Sequence, residues 1–261
     1  MQIAVALTDV ASLSDDFQLV DGAVPSEYRS YALNEWDEFA LEAAVQLVES
    51  GIASEVVTVT IGPERSEETI RKGLAKGADR AIRIWDEQLA SAPILDSQTK
   101  SAALAGAVET IEADLVLTGV QTSDDMFGAT GVQLAATLGY GWAAIVTDLD
   151  VDPDEGVMDV RRELEGGTDQ LVSVDLPAVC TIQTGINDPR YASLRGIRMA
   201  QQAEIEVLDL DALGLSSVEP SIEISERRRP PRPEGAARLE GSATETAAEL
   251  AEILRDRGVG T

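Results

Sequence analysis

Histidine is missing from all 261 residues, and with it go the usual general base near neutral pH and the commonest metal ligand. Cysteine occurs once, so a disulfide framework is excluded. Cys180 lies in an apolar run, Ala178 to Ile182, and reads as a buried, unreactive thiol. Basic residues are few: 20 Lys and Arg stand against 47 Asp and Glu, a formal charge of −27. A field of that sign repels nucleic acid and anionic membranes, so neither is expected as a partner. No apolar run is longer than a strand, far short of the about 20 residues that cross a bilayer, so no membrane span is expected. No basic n-region or cleavage site accompanies the first apolar run, Ile3 to Leu7, and a cytoplasmic protein is expected. No set of carboxylates with metal-like spacing stands out among so many acids. Chemistry by the chain's own side chains is not expected, nor is a metal.

The acids are spread along the whole chain and not gathered in a tail. That spread favours adaptation to high salt, where screening makes dense surface carboxylate tolerable, over an acidic face made for one basic partner. Hydrophobic residues still make up 44%, enough for a substantial core.

Along the chain, strand and helix patterns alternate. Ile3–Leu7 reads as a strand, 11–30 as an irregular or hairpin-like excursion, and Asn34 opens a helix with Phe39, Leu41, Ala44, Val45 and Val48 on its apolar face. Glu55–Ile61 is a strand closed by Gly62-Pro63, a helix runs from Ser66 to Gly77, and Ala78–Ile84 is a strand. Asp96 or Ser97 caps a helix that leads to the strand Asp114–Thr118. Strand, helix, strand in this order argues for parallel pairing with right-handed crossovers. After Val132–Leu138 the pattern turns antiparallel, with strands at 144–149, 157–164 and 169–174 and a further apolar strand at 178–182. Residues 184–202 read as a polar, turn-rich loop punctuated by Pro189 and Gly196. The core is expected to span 1–205. Beyond it, 206–261 reads as an extended arm with a basic proline segment, Glu226–Pro233, and a short amphipathic helix, Thr244–Arg257, lying on another subunit.

One loop carries a ligand signal. Gly119 to Gly131, GVQTSDDMFGATG, follows an apolar strand and precedes a helix, an order that brings backbone N–H groups and the positive end of a helix dipole to the carboxyl edge of a sheet. It fits no standard phosphate-loop spacing and contains no lysine. On spacing alone, nucleotide binding and plain chain reversal stand side by side.

Four blocks together resemble the beta subunit of electron transfer flavoproteins, in order and through nearly the whole chain. The first is Asn34-Glu35-Trp36-Asp37-Glu38 with Ala40, Glu42 and Ala44-Val45. The second is Gly62-Pro63, Glu68-Thr69-Ile70-Arg71, Leu74-Ala75 and Gly77-Ala78-Asp79-Arg80. The third is Asp114-Leu115-Val116-Leu117 with Gly119, Gln121, Asp124, Asp125, Thr130 and Gly131. The fourth is Val160, Arg162, Glu165-Gly166-Gly167, Leu176 to Val179 and Asp188-Pro189-Arg190-Tyr191-Ala192-Ser193-Leu194, the most specific of the four.

The resemblance implies an α/β fold, Rossmann-like with a mostly parallel sheet flanked by helices, of the adenine nucleotide alpha hydrolase type. It implies an electron carrier rather than an enzyme: a beta subunit that pairs with an alpha subunit, holds AMP, and lends one wall to an FAD shared with alpha. Such a protein passes electrons from acyl-CoA or other dehydrogenases to a quinone oxidoreductase. The AMP site carried over comprises Ala6, Asn34, Glu35, Trp36, Asp37, Ile61 and the loop residues Gly119, Val120, Gln121, Thr122, Ser123, Asp124, Asp125, Met126, Phe127, Gly128, Ala129 and Thr130. Trp36 and Leu13 fall near the flavin ring, Pro189, Arg190, Tyr191 and Leu194 in the partner-recognition loop, and Glu163 at an acid that restrains the flavin domain. Val120 stands where the family has lysine or arginine, Met126 where it has a third loop acid, and Glu35 where it has proline. A bifurcating, nitrogen-fixation-type member with a second FAD in place of AMP is the alternative within the family. A nucleotide-binding protein of the universal-stress type is the alternative outside it.

Overall fold

The computed structural model describes residues 1–231 and 235–259. Strand β1 (Gln2–Ala6) runs into the hairpin of β2 (Asp9–Leu13) and β3 (Arg29–Leu33), then into helix α1 (Glu35–Glu49). β4 (Glu55–Ile61), α2 (Glu67–Ala75), β5 (Arg80–Ile84), the short α3 (Glu87–Ser91), α4 (Ser97–Ile111) and β6 (Leu115–Gly119) follow. Next come α5 (Thr130–Leu138), β7 (Gly141–Asp152), β8 (Val157–Leu164), β9 (Thr168–Asp175), β10 (Ala178–Ile182), α6 (Leu194–Gln202) and β11 (Glu206–Leu208).

Nine strands form one sheet in the order β11-β5-β4-β1-β6-β10-β7-β8-β9. Pairing is parallel from β11 to β7 and antiparallel across β7, β8 and β9, the mixed sheet expected from the sequence. Side chains alternate between the faces of a strand, and here both faces are apolar. Ile3, Val5, Leu115, Leu117, Cys180 and Ile182 pack on one side with Leu41, Ala44 and Val45 of α1. Ala4, Val57, Val59, Val116 and Val179 pack on the other with Leu104, Ala107 and Val108 of α4 and Leu134 of α5. Each large side chain buried in this way contributes about 1.5–3 kcal/mol. Helices therefore cover both faces, and the fold is a Rossmann-like α/β sheet.

Two expectations need correction. Residues 184–202 are not loop throughout: α6 begins at Leu194, capped by Ser193 Oγ, which accepts from the Gly196 N–H at 3.0 Å. Gly196, read as punctuation, lies inside that helix because α6 crosses α2 closely there; a Cβ on it would come 2.5 Å from the Ala75 carbonyl oxygen. Nor does the core stop at 205. β11 pairs with β5, and Leu210 and Leu213 are buried, so the first compact unit runs from Met1 to Arg227. Leu208, Leu210, Leu213, Leu215 and Val218 of this stretch pack into the core cluster on the α4 side of the sheet.

The second unit begins at Arg228. Its helix α7 (Ala243–Asp256) starts at a capping box of Ser242 and Glu245 and has no buried residue. In the basic proline segment, Glu226–Pro231 forms neither helix nor strand, and Arg232 and Pro233 lie outside the described residues.

Candidate functional site

From β1 the chain moves outward through β4 to β5, then returns across β1 to β6 on its other side. Connections leave β1 and β6 in opposite directions, so neither covers the gap between their carboxyl ends, and a crevice opens there. Its walls are Ala6, Leu7 and Thr8 after β1, Val59 and Ile61 of β4, Thr118 and Gly119 of β6, and Asp37 of α1. Val120, Gln121, Thr122, Asp125 and the stretch 128–131 supply the loop side, and Leu95 with Lys100 and Leu104 of α4 the remaining side.

Asp37 ties this crevice together. One carboxylate oxygen accepts the Thr8 N–H at 2.7 Å and the other the Gly119 N–H at 3.0 Å, so the ends of β1 and β6 are fastened to the first turn of α1. The approach is close: a Cβ at Gly119 would come 2.5 Å from Asp37 Oδ1 and 2.6 Å from Trp36 Cβ, which only glycine avoids. Burial pushes the Asp37 carboxyl up to about 6, against the opposing pull of its hydrogen bonds. Asn34, fully buried at the start of α1, does not cap the helix with its side chain; its Nδ2 donates to the Gln121 carbonyl at 2.9 Å and holds the loop instead.

The loop is braced from within. The Met126 N–H reaches the Thr122 carbonyl at 3.1 Å, while Asp125 Oδ1 accepts from Thr122 Oγ1 at 2.9 Å and from the Phe127 N–H at 3.1 Å. Met126 and Gly128 sit at φ +55° and +61°, a left-handed conformation that turns the chain toward α5. Lys100 Nζ pairs with Asp125 Oδ2. Burial works to raise the Asp125 carboxyl, but Lys100 and the two loop donors hold it below the usual carboxylate range. Ala129 gives α5 no side-chain cap, so no side chain competes for the first N–H groups of that helix, which borders the cleft.

Of the residues expected to bind nucleotide, Ala6, Asp37, Ile61, Gly119, Val120, Gln121, Thr122, Asp125, Gly128, Ala129 and Thr130 line the cleft. Asn34 supports it from behind. Glu35, Ser123, Asp124, Met126 and Phe127 are exposed and outside its lining, with Asp124 Oδ2 accepting the Ala11 N–H at 3.2 Å and so tying the loop to β2. Trp36 is half-buried and donates from Nε1 to Gln183 Oε1 at 3.2 Å; Leu13 is exposed on β2. Sequence reasoning missed Leu7, Val59, Leu95, Lys100, Leu104 and Thr118, whereas Gly131 closes the loop that carries the ligand signal and Thr8 is the polar break after the first strand, itself the mark of a crevice wall. Lys100 did leave a signal, since it is the single basic residue of α4 in a lysine-poor chain.

In the segment after β10, Arg190 is held by its own chain. It pairs with Glu42 through Nε at 2.8 Å and with Glu49 through Nη1 at 2.6 Å, and Lys76 Nζ donates to its carbonyl at 2.7 Å. Pro189 is half-buried, whereas Tyr191 is 98% and Leu194 79% exposed. Glu163 is exposed on β8, opposite Asp169 of β9. Among the described residues no group of three or more His, Cys, Asp or Glu could hold a metal ion, and no helix is long and apolar enough to cross a membrane.

A mostly parallel sheet covered on both faces, with a crevice at its strand reversal edged by a glycine-containing loop and an uncapped helix, defines a Rossmann-like α/β class of protein. Comparison narrows the class: the family model described as the electron transfer flavoprotein domain matches residues 23–213, and the chain belongs to that family. It is similar to the electron transfer flavoprotein subunit beta of Methylophilus methylotrophus, 42% identical over 98% of each chain. The beta subunit of Bacillus subtilis is 31% identical over 98% of each chain, and that of Sus scrofa 33% identical over 87% of this chain and 86% of its own.

Proposed function

We propose that the protein is the beta subunit of a heterodimeric electron transfer flavoprotein, carrying electrons from dehydrogenases toward a quinone oxidoreductase, with AMP in its cleft and FAD at the interface with an alpha subunit. The observation that carries this reading is the cleft at the reversal between β1 and β6, in a chain of this family. Its residues fit AMP. Ala6, Val59, Ile61, Leu95 and Leu104 offer apolar surface to an adenine ring, and the uncapped start of α5 with Lys100 offers donors and charge to a phosphate.

The redox chemistry belongs to the flavin, which accepts and releases electrons when bound. This chain contributes walls and position, with Trp36 and Leu13 toward the flavin and Glu163 as a restraint on the domain that carries it. Pro189, Arg190, Tyr191 and Leu194 form the partner-recognition segment. The exposure of Tyr191 and Leu194 supports a contact there, and the pairing of Arg190 with Glu42 and Glu49 supports a fixed display of both. The arm that begins at Arg228 packs on the alpha subunit through α7, whose Leu250, Ile253 and Leu254 are exposed. Removing Gly235–Thr261 is expected to weaken pull-down of the alpha subunit, and native affinity in the truncated chain argues against the arm.

The test is the nucleotide content of the heterodimer, released by denaturation and identified by chromatography and mass. One FAD and one AMP per heterodimer are expected. Two FAD and no AMP would replace this reading with the bifurcating one, and a flavin-free homodimer would replace it with a universal-stress type of nucleotide binder.

A further inference from the structure

Among the residues that line the cleft, Asp37 and Asp125 carry negative charge and Lys100 alone carries positive charge. The loop from Gly119 to Gly131 has no basic residue of its own, so a phosphate there depends on backbone N–H groups and on whatever cation α4 brings across. Lys100 is the fourth residue of α4, and its side chain is 20% exposed. An ammonium has three N–H donors, and Asp125 Oδ2 engages one of them. Asp125 does not depend on that contact alone, because its other oxygen already accepts from Thr122 Oγ1 at 2.9 Å and the Phe127 N–H at 3.1 Å. A second anion can therefore share Lys100 without leaving Asp125 unsatisfied. The uncapped N-terminus of α5 borders the same cleft, so charge and backbone donors both face it.

We infer that Lys100 is the cation that binds the phosphate of a nucleoside monophosphate in this cleft, reaching it from α4 while Asp125 positions the ammonium. This rests on the reading of the cleft as an adenine nucleotide site and adds the side chain that recognises phosphate. Lys100 acts on the charged end of the ligand only, so its effect separates by probe. A competing role is purely internal: the pair would brace the loop, and either partner's loss would loosen the whole pocket.

The experiment uses the full-length chain with its alpha subunit, stripped of bound nucleotide and titrated calorimetrically with AMP and with adenosine. Lys100→Met is expected to weaken AMP at least tenfold and leave adenosine within twofold of the parent, and Lys100→Arg to recover most of the AMP affinity. Asp125→Asn, which removes the carboxylate that positions the ammonium, is expected to weaken AMP less than Lys100→Met does. AMP affinity in the parent is also expected to fall more steeply with salt than in Lys100→Met. Equal AMP affinity in Lys100→Met and the parent overturns the inference, as does parallel loss of AMP and adenosine. An Asp125→Asn variant weakened as much as Lys100→Met assigns the pair to loop bracing and overturns it too. A parent that binds no AMP removes the adenine nucleotide reading itself, an outcome distinct from the other three.

Discussion

Asp37→Asn isolates the brace that holds the cleft open. Asp37 is 2% exposed, and each carboxylate oxygen accepts one backbone N–H, from Thr8 and from Gly119. Asparagine has one oxygen and turns an NH2 toward the other donor, so one buried N–H loses its partner at a cost of about 1–3 kcal/mol. Against that stands the cost of ionising the buried acid. Burial pushes its carboxyl up to about 6 in the folded chain from an ordinary value of 3.8, and at about 1.4 kcal/mol per pKa unit the difference is worth about 3 kcal/mol. The sign follows from proton counts. Between the two values the folded chain holds a proton that the unfolded chain has released, so stability falls as pH rises. The penalty is absent below about 4, grows to about 6 and is constant above. The other carboxylates titrate in the same range in both proteins, and their contribution cancels in the difference. Urea unfolding of nucleotide-free parent and variant, at fixed ionic strength from pH 4 to 8, is the assay. The parent's advantage over Asp37→Asn is expected to shrink by about 3 kcal/mol across pH 4–6 and stay level above. A difference that is flat, or that grows with pH, would refute the argument by showing that the two N–H groups outweigh burial.

Arg190→Met leaves the nearly buried Glu42 carboxylate without its guanidinium and is expected to cost about 2 kcal/mol in urea unfolding; adding Glu42→Gln should return most of it, and a single variant as stable as the parent contradicts the clamp. Burial pushes the Cys180 thiol up to about 12, so iodoacetamide at pH 8 should label it only in denaturant, and labelling of the native chain at a free-thiol rate argues against the packing described here. Trp36→Ala in the assembled heterodimer should move the flavin absorption or potential; if both stay unchanged, Trp36 belongs to the packing and its hydrogen bond to Gln183 is its whole role.

Elements that bury a continuous face were legible in the sequence. Glu55–Ile61 was bounded correctly because an apolar strand ends against Gly62-Pro63, and α1 and α4 were found from their apolar periodicity and first-turn acids or caps. Elements fixed by contact with a distant part of the chain were not. The glycine in α6 looks like a breaker until α2 is known to lie against it, and β11, three residues long, exists only as an edge to β5. The cleft divides in the same way. Its loop, strand ends and Asp37 could be named from local order and from resemblance, because strand order fixes where carboxyl ends meet. Lys100 stands out in the sequence as the single basic residue of α4, but nothing local relates the first turn of that helix to a loop that begins after the next strand.

The placement of charge explains how so acidic a chain can receive an anion at all. A formal charge of −27 repels a phosphate at a distance, but that field is screened within about 8 Å at physiological ionic strength and within about 3 Å at 1 M. Inside the cleft only the nearest groups count, and its two carboxylates are already engaged. Both oxygens of Asp37 accept backbone N–H groups, and Asp125 is satisfied by loop donors on one oxygen and by Lys100 on the other. Neither needs to borrow a donor that a ligand would use. What stays available is the start of α5 and the remaining N–H groups of Lys100, both favourable to an anion. Long-range repulsion and short-range attraction thus act over different distances, and the same salt that suppresses the first leaves the hydrogen-bonded part of the second in place.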